Sequence, residues 1–196
     1  MSARLVSLIG APGSGKTTLG ELLAGDLPAT LVREDYAGNP FLAASFAGSA
    51  AARLPSQLYF LMTRARQLAA DTWPDDGLVV SDYGYCQDRV YASLLLDGED
   101  MRVYDRVAGC VDELVRPPDV LVYLDAPVEV LRARIAARGR AYEKSMTDAF
   151  LQQMRRTYER IVAEAACPAL TLDTAAADPR RPFARAELVE QIRACL

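Results

Sequence analysis

The sequence predicts an α/β fold in which a five-stranded parallel sheet carries helices on both faces. Short apolar segments alternate with amphipathic ones along the 196 residues, and a glycine-rich segment follows the first apolar run. Such alternation is typical of parallel sheets whose crossover connections are helices. Because the length suits one hydrophobic core, we assign residues 1–196 to a single domain.

Each predicted strand is a short apolar run, and the strands cover residues 4–9, 29–34, 77–81, 120–124 and 169–172. Apolar residues spaced three or four apart predict helices over 16–27, 56–71, 88–96, 100–115, 127–138, 148–167 and 184–196. Pro55 lies just before the second of these helices, where proline is tolerated. Ligands of parallel sheets bind beyond the carboxyl ends of the strands, so residues at those ends are the first candidates for a site.

The composition excludes several classes of function. The chain has no histidine, which rules out histidine-based catalytic triads and proton relays. Its net charge of −4 argues against a nucleic-acid-binding surface. Four widely spaced cysteines predict free thiols in a reducing compartment, and the apolar run at residues 5–9 is too short to span a membrane. We therefore expect a cytoplasmic protein without nucleic-acid or membrane partners.

Residues 10–17 read GAPGSGKT and match the phosphate-loop pattern G-x-x-x-x-G-K-[ST] in full. Glycines allow successive backbone N–H groups to surround a phosphate, and the following helix directs its positive end at the same anion. Lys16 supplies a charge to the β- and γ-phosphates, and the Thr17 hydroxyl can bind Mg²⁺. The residues assigned to ATP are Gly10, Ala11, Pro12, Gly13, Ser14, Gly15, Lys16, Thr17 and Thr18.

A phosphate loop alone is shared by kinases, GTPases, motor ATPases and nucleotide-binding regulators. The chain is too short for a motor, and it lacks the Asn-Lys pair with which GTPases bind guanine. Small-molecule phosphoryl transfer is therefore the leading class.

Polar residues suited to an acceptor substrate follow the second strand and lie on the next helix. Glu34 ends the second strand, where a carboxylate can accept the proton of an alcohol, and Asn39-Pro40-Phe41-Leu42 follows it. Gln57 and Arg64 are seven residues apart, which is two helical turns, so they project from one face. The Gln57 amide offers a donor and an acceptor side by side, matching the edge of a base.

Two further segments carry charge at the end of a strand and of a helix. Residues 81–89 read SDYGYCQDR and hold Asp82 and Asp88. Residues 134–143 read RIAARGRAYE, in which a glycine breaks the helix among several arginines. The charged residues of this second segment are Arg134, Arg138, Arg140 and Glu143. Arginine suits phosphate because its guanidinium stays charged and spreads donors over several oxygens.

Together these motifs, from the phosphate loop to about residue 158, resemble the deoxynucleoside kinase family, particularly the bacterial deoxyadenosine/deoxyguanosine kinases. The resemblance implies a P-loop kinase fold with a short arginine-rich lid at about 134–144. It implies that Glu34 is the general base for the nucleoside 5′-hydroxyl and that Asp82 binds Mg²⁺ with Thr17. Gln57 and Arg64, the latter paired with Asp88, would bind the base.

The resemblance also implies roles for the lid, in which Arg134, Arg138 and Arg140 contact phosphates and Glu143 accepts a hydrogen bond from the sugar 3′-hydroxyl. Two departures stand out. Tyr83 occupies the place of an arginine that supports the catalytic carboxylate in the family, and Phe46 lies where the family has a sugar-contacting tyrosine. Family members are often homodimers, so a homodimer is expected from the resemblance alone.

We therefore expect a Mg²⁺- and ATP-dependent kinase that phosphorylates the 5′-hydroxyl of deoxyadenosine or deoxyguanosine in nucleotide salvage. An Arg-Asp pair offers donors to a carbonyl and an acceptor to an amino group, which suits purines or cytosine better than thymine. The alternatives are a deoxycytidine-type kinase and a thymidylate-like monophosphate kinase, in which Arg64 or Arg66 would bind the acceptor phosphate. A non-catalytic nucleotide-binding module is a further alternative.

Overall fold

The structure, a computed structural model, describes residues 3–74 and 76–196 and confirms the predicted sheet. Five parallel strands lie in the order β2-β3-β1-β4-β5. They are β1 (Arg4–Ile9), β2 (Thr30–Val32), β3 (Leu78–Ser81), β4 (Val120–Asp125) and β5 (Ala169–Asp173). Because β1 is central and is followed by the glycine-rich loop, that loop lies in the middle of the sheet's carboxyl edge.

Helices connect the strands. They are α1 (Lys16–Asp26), α2 (Leu42–Phe46), α3 (Ala50–Gln67), α4 (Gln87–Leu95), α5 (Gly98–Val111), α6 (Val128–Arg138), α7 (Asp148–Ala163) and α8 (Pro182–Cys195). Short 3₁₀ segments cover Ala70–Thr72, Asp112–Leu114 and Ala141–Ser145. The last of these lies in the predicted lid, directly after Gly139 ends α6 with a φ of 72°.

Hydrophobic packing covers both faces of the sheet. On one face, Leu8 and Val122 pack in a cluster with Leu19 of α1 and Ile192 of α8. On the other face, Ile9 and Tyr123 belong to a cluster with Leu131 of α6 and with Leu151, Met154 and Tyr158 of α7. Burial of successive strand residues on opposite faces explains why β1 and β4 read as continuous apolar runs rather than alternating ones.

The boundaries of α3 correct the sequence prediction. The helix begins at Ala50, so Pro55 lies inside it rather than before it, and the predicted start at residue 56 was wrong. Pro55 is the sixth residue of α3, beyond the first four residues whose N–H groups have no helical partner, so it removes one backbone hydrogen bond, to the carbonyl of Ala51, near the helix start. The short helix α2 was not predicted, and α7 ends at Ala163 rather than near residue 167.

The cysteines and the helix lengths relate to the expectations drawn from composition. All four cysteines are free thiols. In residues 3–74 and 76–196, the structure contains no helix that meets the length and apolarity needed to traverse a bilayer.

Candidate active site

The phosphate loop joins β1 to α1 and depends on glycine at defined positions. Gly13 and Gly15 have φ values of 82° and 99°, a region that side-chain-bearing residues rarely adopt. A Cβ atom on Gly13 would lie 2.8 Å from the carbonyl oxygen of Leu131, so a larger residue would push the loop away from α6. The loop therefore keeps its backbone curled around a space that a phosphate can fill.

Lys16 is folded back over this loop. Its Nζ donates hydrogen bonds to the carbonyl oxygens of Gly10, at 2.7 Å, and Ala11, at 3.2 Å. Burial lowers the pKa of Lys16 to about 8, although the neighbouring carboxylates of Glu34 and Asp82 oppose this shift. The ammonium group thus lies in a poorly solvated position, where an added anion would stabilise its charge.

Asp82 connects the ends of β2 and β3 to α1. Its Oδ2 accepts a hydrogen bond from the Thr17 hydroxyl at 2.7 Å, and its Oδ1 accepts one from the backbone N–H of Glu34 at 2.8 Å. A hydroxyl and a carboxylate held side by side next to a phosphate loop are the hard oxygen ligands that Mg²⁺ prefers, together with phosphate and water. The residues predicted to bind Mg²⁺ therefore fit that ion chemically.

Glu34 lies between the phosphate loop and the acceptor region. Its Oε1 accepts hydrogen bonds from Arg64 Nε at 3.0 Å, from Arg64 Nη2, and from Gln87 Nε2 at 2.9 Å. The Arg64 side chain is only 3% exposed and the Glu34 side chain is 21% exposed. The carboxylate is thus fixed by buried partners on one side and open to the cleft on the other.

The predicted pairing of Arg64 with Asp88 is confirmed. Arg64 Nη1 donates to Asp88 Oδ1 at 2.7 Å, and both side chains are buried. Burial raises the pKa of Asp88 to about 7, against the opposing effect of the Arg64 charge. In the described part of the chain, Asp88 Oδ2 has no hydrogen-bond partner. Asp88 lines a separate cavity beside Tyr85 and Tyr104 and does not line the cavity that contains Arg64 and Glu34. It therefore contacts Arg64 without facing that cavity.

One cavity gathers most of the residues predicted to bind the acceptor, but Asp82 and Asp88 line other cavities. Gln57, Arg64 and Glu143 line it together with Glu34, and Phe46 and Tyr142 are among its aromatic walls. The spacing argument is confirmed, because Gln57 and Arg64 both face this cavity from α3. Gln57 is buried, and its Oε1 has no hydrogen-bond partner among the described residues. An unpaired amide oxygen at the edge of a cavity is suited to bind the N–H group of a ligand.

An adjoining cavity contains the phosphate-binding side chains. Its walls include Lys16, Thr17 and Asp82, together with Arg138 and Arg140 of the lid. Thr18 and Pro12 also contribute. Glu34 and Glu143 line this cavity as well as the acceptor cavity, so the two spaces meet at these carboxylates.

The lid arginines have different partners. Arg138 is bonded to Glu143, and the Arg140 guanidinium lies 3.8 Å above the ring centroid of Tyr36. Arg134 faces away from the acceptor and donates to the carbonyl and hydroxyl of Thr174, at 2.7 and 2.8 Å, and to the Gly13 carbonyl at 3.5 Å. Arg134 therefore joins the phosphate loop to the segment after β5, and its role as a phosphate ligand stays a prediction.

Sequence reasoning missed several residues of the cleft. Gln87 and Tyr91 lie one turn apart on α4 and line both the acceptor and the phosphate cavity, and Tyr36 lines both as well. The available signal was the position of Gln87 directly beside Asp88 in the SDYGYCQDR segment. Tyr83, at the position where the resemblance expects arginine, is fully buried and its hydroxyl donates to Gln67 Oε1 at 2.7 Å.

The parallel sheet, the phosphate loop and the carboxylate-lined cleft define a kinase with the P-loop fold. A family model described as deoxynucleoside kinase matches residues 6–196. The chain therefore belongs to the deoxynucleoside kinase family, as the motifs indicated.

Individual relatives agree with this assignment, and a solved structure agrees with the fold. The chain is 26% identical to a deoxyguanosine kinase of Bacillus subtilis (strain 168) over 91% of its length and 89% of the relative's. It is 27% identical to a deoxyadenosine kinase of Dictyostelium discoideum, over 81% of this chain and 66% of the relative's. The fold matches a deoxyadenosine kinase from M. mycoides with dCMP and dCDP bound at a TM-score of 0.82, with 18% identity over 98% of this chain and 100% of that one.

Proposed function

We propose that the protein transfers the γ-phosphoryl group of ATP to the 5′-hydroxyl of deoxyadenosine or deoxyguanosine in nucleotide salvage. One observation carries the proposal: Glu34 lines both the cavity over the phosphate loop and the cavity beside Gln57 and Arg64. A carboxylate at that junction can touch an acceptor alcohol and face a terminal phosphate at the same time.

The chemical step follows from this arrangement. The acceptor 5′-oxygen attacks the γ-phosphorus, its proton passes to Glu34, and the bond from the γ-phosphorus to the bridging oxygen breaks to release ADP. Lys16 and the loop amides neutralise the phosphates from one side, and Arg138 and Arg140 do so from the lid. Thr17 and Asp82 would hold Mg²⁺, which supplies further positive charge to the phosphate oxygens.

The choice of a purine rests on the acceptor cavity and on the relatives. Gln57 presents an unpaired amide oxygen, and Arg64 lines the same cavity. This arrangement is suited to the hydrogen-bonding edge of a base. The similar proteins include deoxyguanosine and deoxyadenosine kinases and a deoxyadenosine/deoxycytidine kinase of Bacillus subtilis (strain 168). Deoxycytidine is therefore the second acceptor to consider.

A monophosphate acceptor is less well supported. A putative thymidylate kinase of Treponema pallidum (strain Nichols) is 32% identical, but over only 53% of this chain. An acceptor phosphate would need a free cation near Glu34, whereas Arg64 is already shared by two carboxylates and Arg66 is exposed. The cavity thus favours a neutral nucleoside over its monophosphate.

The test is a coupled assay with ATP and Mg²⁺ in which the four deoxynucleosides and their four monophosphates are compared. We expect kcat/KM to be highest for deoxyadenosine or deoxyguanosine. Higher kcat/KM for any monophosphate, or ATP binding without transfer to any deoxynucleoside, would overturn the proposal.

We further propose a homodimer located in the cytoplasm. The homodimer rests on the family likeness of the motifs, and the cytoplasmic location rests on the four free cysteines. Light scattering coupled to size-exclusion chromatography tests the first, and cell fractionation with an antibody against the chain tests the second.

A further inference from the structure

The Glu34 carboxylate is held through one of its two oxygens. Oε1 accepts three hydrogen bonds, two from Arg64 and one from Gln87 Nε2 at 2.9 Å. In residues 3–74 and 76–196, no donor forms a hydrogen bond with Oε2. Three N–H groups converging on Oε1 restrict rotation of the carboxylate, so Oε2 keeps a fixed direction.

Gln87 is itself held in one orientation. It is the first residue of α4 and is 2% exposed. Its Oε1 accepts a hydrogen bond from the Tyr158 hydroxyl of α7 at 3.4 Å, and Tyr158 is fully buried. Burial raises the pKa of Tyr158 well above its usual value, so the phenol keeps its proton. A reversed Gln87 amide would bring its oxygen against the Glu34 carboxylate, so the donor end must face Glu34.

The cation on Glu34 also differs from the one that the motif resemblance implied. Residue 83 is a tyrosine, and its ring centroid lies 5.7 Å from Arg64 Cζ. The Arg64 guanidinium is further supported by Asp88 at 2.7 Å and by the Phe60 ring, whose centroid is 4.6 Å from Arg64 Cζ. Arg64, Gln87 and Tyr158 come from three different helices, α3, α4 and α7.

We propose that Gln87, oriented by Tyr158, is a positioning residue that works with Arg64 to hold Glu34 by Oε1 and leaves Oε2 to accept the proton of the acceptor hydroxyl. This inference rests on the proposed function of Glu34 as general base. It assigns the catalytic atom, and it identifies what orients Glu34 in a chain with tyrosine at position 83.

The principal test replaces Gln87 by methionine, which has similar length and no amide. We expect Gln87→Met to lower kcat about 10- to 100-fold, as for loss of one hydrogen bond to a charged group, while the acceptor KM changes by less than about threefold. Tyr158→Phe should lower kcat by a smaller factor, because it frees the amide without removing it. The matched control is Gln153→Met on the exposed face of α7, which should leave kcat unchanged.

Combined variants separate positioning from a general loss of structure. In a Gln87→Met background, Tyr158→Phe should cause no further loss of kcat, since its only route to Glu34 has been removed. In a Glu34→Gln background, neither change should lower kcat further. A further loss of kcat in either background would overturn the proposal. If circular dichroism shows that Gln87→Met does not fold, Tyr158→Phe is compared in the wild-type and Glu34→Gln backgrounds. It should lower kcat in the first and cause no further loss in the second.

The outcomes also distinguish this proposal from the proposed function. A wild-type protein that phosphorylates no deoxynucleoside contradicts the proposed function. An active wild-type protein together with a folded Gln87→Met variant of unchanged kcat overturns the positioning role alone.

Discussion

Arg138 donates two hydrogen bonds to Glu143, from Nε at 3.1 Å and from Nη2 at 2.6 Å. The pair joins a residue proposed to contact the transferring phosphate to a residue proposed to contact the sugar. The Glu143 carboxylate is only 4% exposed, and Arg140 lies within 3.6 Å of it. Substrate binding must therefore act on a lid in which two arginines are already paired with one carboxylate.

Glu143→Gln tests the sugar contact. The change keeps the shape of the side chain but removes its charge, so a hydrogen bond to the 3′-hydroxyl is weakened. We expect the acceptor KM to rise about 10- to 100-fold with a smaller effect on kcat. Steady-state kinetics with a deoxynucleoside and its 2′,3′-dideoxy analogue is the measurement.

The dideoxy analogue provides the discriminating comparison. The wild-type enzyme should lose kcat/KM on the analogue by about the factor that Glu143→Gln loses on the normal substrate, and the variant should discriminate little between the two acceptors. Glu129→Gln, at an exposed position of α6, is the matched control. A Glu143→Gln variant that discriminates as strongly as the wild type removes Glu143 from sugar recognition.

Glu34→Gln tests the general base. Binding of the deoxynucleoside, followed by isothermal titration calorimetry, should stay within a few-fold of the wild type because the shape of the side chain is unchanged. The value of kcat should fall by about 10²- to 10⁴-fold, the usual contribution of a general base. Glu21→Gln, which removes a surface carboxylate paired with Arg33, should leave kcat unchanged. Normal turnover in Glu34→Gln would mean that another group accepts the proton.

The fold was predictable because its signals are local. Apolar runs of four to six residues marked the strands, and the phosphate loop placed the first helix at its observed start, Lys16. The start of α3 was not predictable in the same way. Pro55 is a strong local signal for a helix start, but the preceding Gly48, with a φ of 97°, lets the chain turn into the helix earlier.

The site was predictable where a residue's position followed from its element. Glu34 and Asp82 follow neighbouring strands β2 and β3, so their proximity follows from the parallel sheet. The contact of Gln87 with Glu34 joins residues 53 apart and depends on how α4 packs beside the sheet. The contact of Arg64 with Glu34 could not be predicted for the same reason. Motif spacing predicts which residues share a helix face, but not which side chains of other elements contact them.

Arg64→Met tests the buried ion pair through stability. The change leaves Asp88 without a partner in a buried position, so we expect the free energy of unfolding to fall by about 3–5 kcal/mol in urea denaturation. Adding Asp88→Ala should restore part of this loss, because the unpaired charge is removed. Arg102→Met, which breaks an exposed pair with Glu99, should cost less than about 1 kcal/mol.

The same double variant tests base recognition. Because Arg64 also holds Glu34, Arg64→Met with Asp88→Ala should lower kcat for every acceptor, so the informative quantity is the ratio of kcat/KM between thymidine and the preferred purine deoxynucleoside. We expect this ratio to rise, since the paired charges that disfavour the thymine methyl are gone. An unchanged purine preference would show that Gln57 and the cavity walls select the base without Arg64.

Lys16 should take up a proton when ATP binds. Its pKa in the free protein is lowered to about 8, chiefly by burial, and the phosphates of ATP will raise it. At pH 8 about half of the free molecules lack the proton, so binding should take up about half a proton per site, falling to about a tenth at pH 7. Calorimetric titration in two buffers of different ionisation enthalpy measures the number of protons taken up.

The chain has one other lysine, the exposed Lys144, so Lys144→Met is the matched control and should leave the uptake unchanged. Absence of uptake at pH 8 in the wild type would contradict the prediction for Lys16, and loss of uptake in Lys144→Met would assign the proton to Lys144 instead.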